Sequence, residues 1–132
     1  MTQHLPPSVA DIEALAQAAR AAMPEPFLSN CADVAIRVAE MPDDDLCDDL
    51  EIESPWTLTG LYDGIPLPER SSFDQPLKPD TVWLFQMPIL LEWIERGDVP
   101  IDHLVAHVLV HEFAHHLGWS DDDIAAIDPW WE

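Results

Sequence analysis

The chain has 132 residues, 48% of them hydrophobic, and a formal net charge of −21 from 26 acids against 5 bases. That length suits one domain, residues 1–132, with a core of modest size, and the apolar content is too high for a disordered chain. A field of this sign repels phosphate backbones and anionic lipid surfaces, which argues against nucleic acid and membranes as partners.

Cys31 and Cys47 form no Cys-x-x-Cys pair, so buried free thiols in a reducing compartment are expected. The N-terminal run has neither a basic region nor a continuous apolar stretch, so no signal peptide is read there. No window is apolar enough for a transmembrane helix. The expected location is the cytoplasm, and a monomer is the default.

In chain order, a first helix is predicted over residues 9–22. Ser8 is its N-cap, Ile12, Leu15, Ala16 and Ala19 form its apolar stripe, and Pro24 and Pro26 stop it. Residues 32–40 then alternate with period two, placing Val34, Ile36 and Val38 on one face of a half-buried strand. The acidic stretch 42–53 reads as a solvated segment with one helical turn around Leu46 and Leu50. Residues 57–62 predict a second strand ended by Asp63-Gly64, a hairpin-turn dipeptide.

The proline-rich stretch 65–79 reads as an ordered surface loop. Residues 81–86 predict a third strand from their β-branched and aromatic content. A short helix follows over 88–96, opened by Pro88 and closed by Gly97. Asp102 is expected to cap the longest helix, which ends at Gly118. Ser120 with Asp123 then makes a capping box for a last helix through about Ile127. Trp130 and Trp131 of the tail are expected to cover core. These elements predict an α+β fold, a small and mostly antiparallel sheet with helices packed on it.

The long helix carries the chemistry. His111-Glu112-Phe113-Ala114-His115 is followed by Gly118 and Asp121. Histidines four apart on a helix lie about 40° apart around the axis and ~6 Å along it, so their imidazoles can close on one cation. Glu112, beside the first, can serve as a general base. Gly118 can reverse the chain at φ > 0 and return Asp121 under the imidazoles as third ligand, with Asp122 the next candidate. Asp121 can also act simply as a first-turn acid of the following helix.

On a helical wheel Leu104, His107, Val108 and His115 lie within about 60° of His111, while Ala106, Leu109, Val110, Phe113 and Leu117 gather opposite. The histidine side is therefore expected to face a cleft lined partly by Leu104 and Val108. His107 is placed facing that groove, His103 in solvent, and His116 on the far side against Leu109.

With these residues in view, the chain resembles the minimal zincins, small bacterial proteins with the pattern His-Glu-x-x-His-His-x-Gly-x-x-Asp. The similarity includes HEFAHHLGWSD, the loop GLYDGIPLPERS at residues 60–71 and the stretch PDTVWLFQMPIL at 79–90, covering roughly residues 27–127. The resemblance implies a short twisted sheet beside an active-site helix, zinc held by His111, His115 and Asp121, and Glu112 as base. It also echoes the longer metzincins, but the last ligand position here is Asp121 rather than histidine, and no methionine follows the motif.

The expected function is peptide hydrolysis by a zinc-activated water with Glu112 as general base, on a peptide or protein substrate. The extended substrate is expected to add to the edge of the strand over residues 81–86. Tyr62 and Arg70 are candidates for oxyanion contact, although core packing and loop anchoring are the simpler roles for them. The alternative is a non-catalytic interaction protein with a structural zinc, closed by a fourth ligand such as Asp122 or His107.

Overall fold

The structure is a computed structural model that describes residues 6–64 and 80–126, save the side chains of Asp121, Ala125 and Ala126. The loop expected over residues 65–79, with Arg70, and the tail tryptophans Trp130 and Trp131 lie outside the described residues.

Helix α1 (Val9–Ala21) starts where the sequence places it. Ser8 accepts from the Asp11 backbone at 3.1 Å, and Asp11 accepts from Ser8 N at 2.9 Å. This reciprocal pair satisfies two donors that an open helix start leaves bare. Ile12 and Ala16 are fully buried, with Leu15 and Ala19 packed beside them. The prolines do end the helix, but they also begin a short turn of helix, α2 (Phe27–Asn30), which the sequence did not announce. Arg20 clasps the end of α1 to the chain that follows, donating to the carbonyls of Val34 and, at 3.4 Å, Ala32. Its guanidinium also lies 5.5 Å from the centroid of the Phe113 ring.

Strand β1 (Ala35–Ala39) leads to α3 (Asp44–Asp49), capped by Asp43, which accepts from Leu46 N at 2.8 Å. The second strand is shorter than expected. Ser54 and Pro55 open a 3-10 turn, Pro55–Thr57, so the strand begins only at Gly60. Proline at the first helical position pre-sets φ for that turn. Strand β2 is Gly60–Asp63 and β3 is Thr81–Phe85. Helix α4 (Gln86–Arg96) follows directly and ends on Gly97 in the left-handed region, φ 75°.

The order is β1-β3-β2, with β1 parallel and β2 antiparallel to β3. The α+β class holds. Among the described residues the sheet is mixed rather than mostly antiparallel, with one pair of each kind, because β1 runs the same way as β3 and β2 the opposite way. The same pairing corrects a second expectation. The strand at residues 81–85 is central, so it offers no edge to a substrate, and among the described residues the outer edge beside it belongs to β2.

Helix α5 (Ile101–His116) crosses the inner face of the sheet, with α1 packed against it and against β1. Pro100, not Asp102, stands at its N-cap, and Asp102 lies in the first turn. Val105, Leu109, Val110, Phe113 and Ala114 are wholly buried and join Val82 and Leu84 of β3 in one core. Each large apolar side chain so buried contributes about 1.5–3 kcal/mol. Leu104 and Val108 are buried as well, at 1% and 4% exposure, so the histidine stripe is narrower than the wheel suggested. No helix among the described residues is long and apolar enough to cross a membrane.

Candidate metal centre

The end of α5 is shaped by its last turn. Gly118 takes φ 88°, Trp119 N bonds to Ala114 O at 2.9 Å, and Gly118 N bonds to His115 O at 2.9 Å. This is a Schellman closure, in which a left-handed residue lets two terminal carbonyls find donors without a Cβ penalty. The reversal delivers the chain to α6 (Asp121–Ala126), whose start is secured by a second capping box. Asp123 N donates to Ser120 Oγ at 3.1 Å and Ser120 N to Asp123 Oδ2 at 3.0 Å. Asp121 is thus the first residue of α6, three positions after Gly118, although its side chain lies outside the described residues.

His111 and His115 lie side by side one turn apart, ring centroids 4.9 Å from each other and planes at 80°. Both are half-buried. The turn also orients one of them, since His115 Nδ1 lies 3.1 Å from Trp119 O. A carbonyl only accepts, so Nδ1 is the donor in this contact, which fixes how the ring is turned. Metal-ligating histidines are commonly held by such a bond from the other ring nitrogen. The donor set therefore suits a borderline-soft divalent cation. Among the described residues no three His, Cys, Asp or Glu side chains are grouped to hold a metal, and the structure brings together two of the three expected ligands, His111 and His115.

A cleft of about 370 Å³ opens on this side of α5. One wall is the chain from Thr57 to Gly60, and His107, Val108, His111 and Glu112 form the other, with Glu92 and Arg96 of α4 also lining it. Glu112 is half-buried and faces the same space as His111. His107 does face the groove, and His103 is exposed, as expected.

Gly60 was not singled out by the motif, yet it controls how closely the wall approaches. A Cβ there would stand 2.7 Å from Val108 Cγ1 and 3.1 Å from Glu112 Cγ. Glycine inside a strand often marks such an approach, and this was the signal available in the sequence. Phe85 N donates to Thr59 O at 2.9 Å, and the register pairs Gly60 with Leu84. In an antiparallel ladder the bonded pairs alternate. Residues 59, 61 and 63 therefore bond inward to β3, and Gly60 directs its N–H and C=O to the outer edge, beside Glu112.

One expectation is corrected here. His116 is buried at 4% exposure but is not merely packed on Leu109. Its Nδ1 lies 2.8 Å from Tyr62 Oη and 3.2 Å from Asp80 Oδ2, and its Nε2 lies 3.2 Å from Asn30 O. Tyr62 Oη also donates to Asp80 Oδ2 at 3.2 Å. Tyr62 is thereby tied into a polar cluster that joins α5 to β2, α2 and the residue before β3, in keeping with the packing role the sequence favoured for it. A histidine on an apolar helix face requires such partners, but their identity is set by tertiary neighbours that spacing does not reveal.

Comparison with known families decides the class. A family model described as zincin-like metallopeptidase matches residues 31–131. The chain belongs to the zincin-like metallopeptidase family. The matched span runs from the start of β1 through α5 and α6, so it contains the whole motif and both cleft walls. No curated protein matches the chain at a significant level.

Proposed function

We propose that this zincin-like protein is a zinc-dependent peptidase, with His111, His115 and Asp121 as metal ligands and Glu112 as general base. The observation that carries the proposal is the pairing of the two imidazoles one turn apart, with the His115 ring held through Nδ1 by the Trp119 carbonyl, beside a cleft that Glu112 lines. Two imidazoles and one carboxylate leave a zinc ion an open position. When bound, the cation supplies Lewis acidity toward water and the scissile carbonyl.

The chain's own groups do the rest. Glu112 accepts a proton from the attacking water and delivers it to the leaving amine. Gly60 offers a backbone donor and acceptor to an extended substrate, fixing its run along β2 rather than along β3. The close approach at Gly60 holds that substrate within reach of Glu112. His107 narrows the cleft.

The structural-zinc alternative requires a fourth protein ligand. Among the described residues His107 does not group with His111 and His115, and Asp122 is exposed, so neither is placed as that fourth ligand.

The test is peptide hydrolysis by the zinc-loaded chain against a library of unstructured peptides, alongside Glu112→Gln. The parent should cut, and the variant should lose at least about a hundredfold in kcat, the usual worth of a positioned base, while keeping its zinc. Equal rates for the two would remove Glu112 from the mechanism.

A further inference from the structure

The outer face of the sheet carries a second concavity that peptide hydrolysis does not use. Along β3 the side chains of Val82 and Leu84 enter the core, so those of Trp83 and Phe85 project to the opposite face. There the two rings stack, centroids 6.5 Å apart and planes at 7°. With Leu61 of β2 they floor a groove of about 460 Å³, and Leu46 and Leu50 of α3 line it too. Leu50, the C-cap residue of α3, is 42% exposed at the groove's margin. The lining is mostly apolar, but Asp43 and Asp63 also border it, and Asp44, Asp45, Asp48 and Asp49 of α3 are all exposed.

We propose that this groove docks a segment of a partner polypeptide that alternates apolar and basic residues. Its apolar side chains rest on Leu61, Trp83 and Phe85, and its lysines or arginines meet the carboxylates of the rim. Charge complementarity selects this occupant. A second copy of the chain would bring one acidic rim against another in a molecule of net charge −21, and nucleic acid or anionic lipid would be repelled. The docking site stands on a different face from the cleft and does not depend on the hydrolytic reading.

The test is fluorescence anisotropy with the full chain carrying Glu112→Gln, so that the probe is not consumed. Three labelled peptides serve as probes, alternating lysine with leucine, lysine with serine, and glutamate with leucine. The lysine–leucine peptide should bind at least about tenfold more tightly than either control. Leu61→Thr combined with Leu50→Ser, both outside the core and checked for unchanged circular dichroism, should weaken it at least about tenfold, a difference of ~1.4 kcal/mol. Equal binding of the lysine–serine peptide would reduce the effect to long-range charge and overturn the proposal. Equal binding of the glutamate–leucine peptide, full affinity in the double variant, or a dimer of the parent that the double variant dissociates would overturn it as well.

Discussion

His115 illustrates how a single backbone carbonyl can set the chemistry of a side chain. The carbonyl of Trp119 takes the Nδ1 hydrogen, and it lies there only because Gly118 turns the chain back over the last turn of α5. The side chain of Cys31 is governed by its surroundings in a different way. It is 1% exposed, its Sγ lies 3.9 Å from Phe113 O, and burial pushes its pKa from 9.0 up to about 12 against the pull of nearby Arg20. The raised value means that the folded state keeps the proton when the unfolded state has lost it. Stability is then unaffected below pH 9.0 and falls as pH rises toward about 12, with a slope of about 1.4 kcal/mol per unit. Urea unfolding across that range should show this added slope in the parent and not in Cys31→Ala. Parallel curves for the two would contradict it.

Among the elements, α6 bears most directly on the proposed metal centre, because its first residue is Asp121, the proposed third ligand. Its start rests on the Ser120–Asp123 capping box. Ser120→Ala should cost about 1 kcal/mol of stability, the common worth of an N-cap, and should weaken zinc binding by loosening the segment that carries Asp121. Chemical denaturation and competitive chelator titration measure the two effects. A variant that loses stability but keeps full zinc affinity would separate α6 from the metal.

The capping boxes that open α1 and α6 and the Gly97 that closes α4 were legible in the sequence because those signals are local, whereas α4 begins at Gln86, two residues before the expected Pro88. Where a local signal had a competitor, the boundary moved: Pro100 displaced Asp102 at the start of α5, and Ser54-Pro55 drew the start of the second strand into a 3-10 turn. The order of the strands was not legible at all. β1 and β3 pair although α3 and β2 lie between them in the chain, so whether a strand is central or at an edge depends on partners far away in sequence.

At the scale of the molecule, the motif on α5 was enough to find the cleft and to anticipate the family. It could not supply the opposite wall, where Gly60 approaches Glu112, or the buried union of Tyr62, Asp80 and His116 that fastens α5 to the sheet. Both arise from contacts between elements. The arrangement puts the motif cleft on one side of the sheet and an acid-rimmed apolar groove on the other.

The account turns on His111 and His115 acting together with Asp121 to hold one ion. Metal analysis by mass spectrometry after exhaustive dialysis measures that directly. The parent and Glu112→Gln should each retain about one zinc per chain, as a three-ligand site with bound solvent requires, and His115→Ala should retain almost none. A parent that emerges without stoichiometric metal, or a His115→Ala protein that keeps it all, would contradict the proposed centre.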